Sequence, residues 1–129
     1  MNILAIDTCT EAASVTLYAS GVRTSRVLTN VEKSSGHILK LCDEVFDESG
    51  KQLKEINLIA YSKGPGAFTG VRMCIGVVQG LSLSCNIPTI GFSTLELLGF
   101  RASKILKLEK IAIAPVSYTH LTLPTILLV

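Results

Sequence analysis

Lys63-Gly64-Pro65-Gly66-Ala67-Phe68-Thr69-Gly70-Val71-Arg72 carries three glycines and a proline within seven residues. An apolar run, Val71 to Leu83, follows at once. The stretch therefore reads as a rigid turn that delivers the chain into a helix. Proline sets one φ angle, and glycine admits φ values that residues with a Cβ avoid. So much glycine at a helix start implies close backbone approach, either to a ligand such as a phosphate or to another element of the chain. A Walker A loop is excluded, because Val71-Arg72 stands where that loop has Lys and Ser or Thr. The helix reads as apolar on every side. Gly76, Gly80 and Ser84 recur four apart and form a small-residue groove on one face. One side of such a helix belongs on a sheet, and the other needs a second helix from this chain or from a partner. That favours packing over a phosphate cradle.

Upstream, Asn57 to Tyr61 reads as a buried strand feeding the turn. At the N-terminus, Ile3-Leu4-Ala5-Ile6 is a buried strand that stops at Asp7-Thr8-Cys9-Thr10. Ala13 to Tyr18 alternates, Ser20-Gly21 turns, and Val22 to Leu28 completes an antiparallel meander. Ile38, Leu41, Cys42, Val45 and Phe46 form one helical stripe, which Ser34 or Ser35 can cap and Gly50 can end. Leu53 to Ile56 reads as a connector. Ile87 to Gly91 is a further strand, Ser93-Thr94-Leu95-Glu96 resembles a capping box, and Ile111 to Ala114 is a last strand. Strands and helices in this order give an α/β class with a mixed sheet and packed helices.

Composition bounds the function. The chain has 129 residues, enough for one modest domain. Its apolar fraction is 48% and it lacks Trp, so the core is aliphatic. A net charge of +2 does not by itself indicate nucleic acid. Cys9, Cys42, Cys74 and Cys85 form no CxxC pair and read as reduced thiols. Met1 leads into a strand with no basic n-region, and the Val71–Leu83 run is too short to span a bilayer. These features point to the cytoplasm, with no membrane association.

Candidate chemistry is sparse. Asp7, Thr8 and Thr10 at a strand end can bind a phosphate or its metal ion, or simply form a hydrogen-bonded turn. His37 opens a helix, but a metal site on that face needs a ligand at i+4, where Leu41 stands. His37 therefore reads as a capping or interfacial residue. Arg101, Lys104, Lys107 and Lys110 recur every three residues, and Glu109 dilutes them. They read as a solvated face, with direct tRNA contact as a weaker alternative. No nucleophile with a nearby base can be assembled, so no catalytic residue is assigned.

The motifs Ile3-Leu4-Ala5-Ile6-Asp7-Thr8, Gly64-Pro65-Gly66-x-Phe68-Thr69-Gly70-Val71-Arg72, Gly76-x-x-x-Gly80-Leu81 and Pro88-x-x-Gly91-x-Ser93-Thr94-Leu95 resemble the TsaB (YeaZ) family over about residues 1–115. The resemblance implies an actin/Hsp70-like (ASKHA, RNase H-like) lobe over residues 1–110. It implies a non-catalytic dimerisation subunit, without cofactor, of the bacterial complex that makes N6-threonylcarbamoyladenosine in tRNA. Its partners would be a TsaD-type transferase and a TsaE-type ATPase, with a homodimer as another assembly and tRNA reached through the complex. The family's catalytic paralogue has an HxxxH motif on the helix that His37 opens, and Leu41 removes it here. The implied interface comprises His37, Leu41, Val45, Phe68, Arg72, Gly76 and Gly80. Asp7, Thr8 and Thr10 would be a vestigial nucleotide site. The alternative is a fragment of an ASKHA enzyme, a sugar-kinase-like phosphotransferase or a metal-dependent glycoprotease-like carbamoyltransferase.

After residue 115 the resemblance ends. Val116 to Thr125 is similar to one reading frame of a transposon-end adapter used in sequencing libraries. Residues 116–129 are therefore expected to be non-native, and 111–115 the first strand of a second lobe that is cut away. That strand is expected to lack sheet neighbours and to make the chain poorly soluble.

Overall fold

The computed structural model describes residues 1–9, 12–29, 35–66, 68–106, 111–113 and 126–128. It begins with a hairpin meander of β1 (Ile3–Asp7), β2 (Ala13–Ala19) and β3 (Val22–Leu28). Then follow α1 (Ser35–Ser49), a 3-10 turn (Leu53–Glu55), β4 (Leu58–Ser62), α2 (Phe68–Cys85), β5 (Thr89–Phe92) and α3 (Thr94–Leu106). The five strands make one sheet in the order β3-β2-β1-β4-β5. β1–β2 and β2–β3 are antiparallel, while β1–β4 and β4–β5 are parallel. This is the mixed α/β sheet that the alternation of strands and helices predicts.

Local chemistry accounts for the connections. Ser20 and Gly21 both have positive φ, 53° and 78°, which is the mirror-image two-residue turn that matches strand twist. Ala13, Val15 and Leu17 alternate inward along β2. Gly50 has φ of 72°, and its N–H bonds to the Phe46 carbonyl at 2.9 Å, closing α1. At the start of α3 the Glu96 N–H donates to Ser93 Oγ at 3.0 Å and the Ser93 N–H to Glu96 Oε2 at 3.2 Å, a complete capping box. The capping residue expected at Ser34 or Ser35 lies outside the described side chains.

The core lies between the sheet and the α1/α2 layer. Leu4, Ile6, Val15, Leu17, Ile38, Val45 and Ile59 are fully buried there. α1 is fixed over the edge strand by Arg26, whose Nη1 stands 2.8 Å from Glu48 Oε2 and whose Nε stands 3.7 Å from Glu44 Oε2. Both ion pairs are half exposed, so each is worth only about 0–1 kcal/mol.

The C-terminal part differs from expectation in one respect. The strand Ile111–Ile113 (β6) is not left alone: Ile126–Leu128 (β7) pairs with it antiparallel in a separate two-stranded sheet. Two short aliphatic, partly β-branched segments satisfy each other's backbone groups in this way. Residues 116–125 lie outside the described residues.

All four thiols are free. Burial, with the Asp43 carboxylate adding to it, pushes the Cys42 thiol from 9.0 up to about 12. Unfolding returns that thiol to its ordinary value, so above pH 9 the unfolded chain loses a proton that the folded chain keeps. Stability is therefore expected to be level below about pH 9 and to fall as pH rises from 9 toward 12. Urea melts across that range should show a smaller fall in Cys42→Val. At neutral pH a thiol reagent should label the exposed Cys85 alone until the chain unfolds.

Candidate docking site

The glycine-rich turn meets the end of β1. The chain leaves β4 through Lys63, whose N–H bonds to the Phe92 carbonyl at 2.9 Å. Gly64 adopts φ of 96°, and the Gly64–Pro65 peptide is cis. α2 then starts at Phe68, three residues before the apolar run begins. A glycine inside a first helical turn costs propensity but does not prevent the turn. Gly70 is thus a helical residue, and its missing side chain has a specific use. A methyl group there would overlap the Thr8 carbonyl oxygen, and one at Gly66 would overlap the Cys9 carbonyl oxygen and Cβ. The close approach that the sequence demands is between backbones: the turn lies directly on Thr8 and Cys9.

Side chains complete this junction. Thr8 is fully buried, and its hydroxyl donates to the Gly70 carbonyl. Asp7 Oδ1 accepts from the Cys9 N–H at 3.0 Å and from Ser62 Oγ at 2.6 Å. The Cys9 thiol donates to the Ser62 carbonyl at 3.3 Å. Cys74, nearly two turns into α2, points its thiol at the Ile6 carbonyl at 3.5 Å, and burial raises its pKa. Of the Asp-Thr pair expected to touch a nucleotide, Thr8 is therefore committed to the protein and presents no surface to a ligand, whereas half-buried Asp7 lines a cavity of about 240 Å³ with Ser14, Thr16 and Ser62. Thr10 lies outside the described residues.

With Gly70, Cys74, Val77 and Val78 turned to the sheet, the opposite side of α2 is open. Phe68 is 63% exposed and Leu83 is 83% exposed. The Arg72 guanidinium stacks 4.3 Å from the Phe68 ring centroid. A Cβ at Gly76 or at Gly80 would meet nothing within 4 Å. These glycines form the floor of a groove of about 490 Å³ walled by Leu39, Met73, Leu81 and Ser84. α1 brings Leu39 to one wall of the groove, but no described residue covers Gly76 or Gly80. α2 has 18 residues with a mean hydropathy of 1.3, enough by length and composition to cross a membrane, which corrects the shorter span read from the sequence.

The α1 side requires a correction. Leu41 and Val45, expected at the interface, point into the core at 8% and 0% exposure. Their stripe is consumed by the sheet, so α1 has little apolar surface left. Leu39, which the sequence reading did not single out, is the exposed apolar residue of α1 that reaches the groove. The signal was present, since Leu39 is an apolar residue off the Ile38-Leu41-Cys42-Val45 stripe. His37 is exposed at the same end of α1. Among the described residues no group of three or more His, Cys, Asp or Glu side chains could hold a metal ion. On α3, Arg101 and Lys104 are exposed, with the Lys104 ammonium 4.9 Å from the Phe100 ring centroid. Lys107 and Lys110 lie outside the described residues.

A family model described as TsaD, tRNA N6-adenosine threonylcarbamoyltransferase, matches residues 13–115. The Escherichia coli (strain K12) tRNA threonylcarbamoyladenosine biosynthesis protein TsaB is 45% identical over 95 residues, which is 74% of this chain and 41% of that protein. Among solved structures, YeaZ from Pseudomonas aeruginosa aligns with a TM-score of 0.78 at 39% identity, over 84% of this chain and 51% of that one. The chain spans about half the length of the relatives it matches. RuvC from Thermus thermophilus aligns with a TM-score of 0.51 at 14% identity, over 92% of this chain and 84% of that one, and shares the RNase H-like fold alone.

Two glycines of one helix thus carry opposite expectations. Gly70→Ala should destabilise the chain by about 1–3 kcal/mol or more, because neither backbone can give way. Gly76→Ala should be neutral or stabilising by up to about 1 kcal/mol, through helix propensity in open space. Thermal melts followed by circular dichroism distinguish the two. Equal losses at both positions would contradict the junction.

Proposed function

Because the chain belongs to the TsaB (YeaZ) family of tRNA threonylcarbamoyladenosine biosynthesis proteins, we propose that it acts as a non-catalytic scaffold subunit in the cytoplasm. It docks a TsaD-type threonylcarbamoyltransferase, with a TsaE-type ATPase as a further member of the assembly. tRNA is reached through the complex. The observation that carries this reading is the open apolar face of α2, with bare Gly76 and Gly80 at its centre. A partner helix can approach closely only where side chains are absent, and a soluble chain gains most by covering such a face. A homodimer through the same face has the same chemical basis.

The absence of catalysis rests on α1. In the metal-dependent reading, a second ligand would stand four residues after His37. That position is Leu41, which is buried against the sheet and carries no donor atom for a metal. Relatives named TsaB also support the scaffold over a sugar-kinase-like fragment. The kinase reading needs Thr8 at a ligand, whereas its hydroxyl is held by Gly70.

The test replaces the groove floor. Gly76→Trp and Gly80→Trp should leave the circular dichroism spectrum unchanged, because both positions open to space. Each should weaken binding to a TsaD-type subunit at least about tenfold by calorimetry, as expected when a close helix contact is blocked. Undiminished binding by both variants would overturn the assignment of this face.

A further inference from the structure

The other end of the sheet holds a cavity that the scaffold reading does not use. β3 is an edge strand, seven residues long, with β2 on one side and no described strand on the other. The two-residue turn makes Ala19 and Val22 the hydrogen-bonded closing pair of the hairpin. Pairs alternate from there, so the N–H and C=O groups of Arg23, Ser25 and Val27 point away from β2. A cavity of about 570 Å³ adjoins this edge. Its lining comes from both faces of β3, Thr24 and Arg26 on the α1 side and Arg23 and Ser25 on the opposite side. The cavity therefore straddles the free edge rather than lying above either face. Leu17 and Ala19 form its apolar floor, and Lys51 stands at its rim after the end of α1.

Charge decides what fits. The Arg26 guanidinium is paired with Glu44 and with Glu48, a carboxylate of the lining, and its Nη1 also donates to the Ser25 carbonyl at 2.8 Å. Arg23 and Lys51, the other two cations of the lining, appear in no ion pair among the described residues. Exposed Val22 and Val27 flank the strand at its two ends. An occupant that satisfies outward backbone groups along seven residues is an extended chain, and one that meets Arg23 and Lys51 carries carboxylates. We infer that β3 is a strand-addition site for an acidic, extended segment of a partner protein. Its main chain pairs with Arg23 and Val27 and accepts from the Ser25 N–H, the Ser25 carbonyl being held by Arg26; alternate side chains enter the cavity over Leu17 and Ala19, and its carboxylates meet Arg23 and Lys51. This site lies on a different strand and a different cavity from the α2 face, and it stands whether or not that face binds a TsaD-type subunit. Charged residues also guard an edge against self-association, and the two roles are compatible, because like charge repels a second copy of β3 while attracting an acidic strand.

The probe is an N-acetylated heptapeptide alternating glutamate and valine, added to the full 129-residue chain. Its lysine-valine counterpart and copies N-methylated at alternate amides, in either register, are the controls. The acidic peptide is expected to slow hydrogen exchange at the Arg23, Ser25 and Val27 amides at least about fivefold, and the lysine peptide to bind at least about tenfold more weakly. Arg23→Glu combined with Lys51→Glu should lower affinity for the acidic peptide about tenfold. Ser25→Pro removes an outward N–H that β2 does not use, so it should abolish binding while keeping the fold. Equal binding of acidic and lysine peptides, binding that survives both Ser25→Pro and N-methylation in the two registers, or no slowing at millimolar acidic peptide would each overturn the inference.

Discussion

The architecture depends on one contact, the laying of the Gly66 and Gly70 backbone onto the Thr8–Cys9 backbone. Two carbonyl oxygens of the β1 end occupy the volumes where side chains of residues 66 and 70 would stand. The Thr8 hydroxyl then ties itself to Gly70. Once α2 starts at this point, its direction follows. Cys74 and Val78 fall over the sheet with Leu4, Ile6 and Ile59, and the residues half a turn away face out. The glycines at 66 and 70 therefore set which side of α2 is core, and by subtraction which side remains for a partner.

Buried polar groups near this contact are nearly all accounted for within the chain. Asp7 serves Ser62 and the Cys9 amide, and the Cys9 and Cys74 thiols reach strand carbonyls. Among the described residues only Thr94 Oγ1 is buried without a partner. Such saturation makes the junction rigid and leaves little for a ligand to bind. The apolar face of α2 has the opposite character. It presents aliphatic and aromatic surface, one stacked cation and two bare glycines, which is the composition of a helix-docking surface rather than of a catalytic site.

Much of this was legible in the residues. The alternation of Ala13, Val15 and Leu17 fixed the face of β2, and the Ser20-Gly21 pair fixed the hairpin register. The Ile38-Leu41-Cys42-Val45 stripe gave α1 and its buried side. Two readings required coordinates. What the glycines pack against could not be read, because Thr8 lies 62 residues away from Gly70 in the chain. The family resemblance implies an interface through Leu41 and Val45, which requires α1 to have apolar surface to spare. The sheet takes all of it, and Leu39, off the stripe, is what remains.

The central claim is that the glycine turn is a packing device whose consequence is a free face on α2. Hydrogen exchange on the full chain, with a TsaD-type subunit and separately with ATP or inorganic phosphate, tests it most directly. The account predicts that the TsaD-type subunit slows exchange along residues 73–84, and that nucleotide and phosphate leave residues 7–9 and 64–70 unchanged. Slowed exchange at 7–9 and 64–70 on adding phosphate or ATP, with no change along 73–84 on adding the subunit, would contradict it.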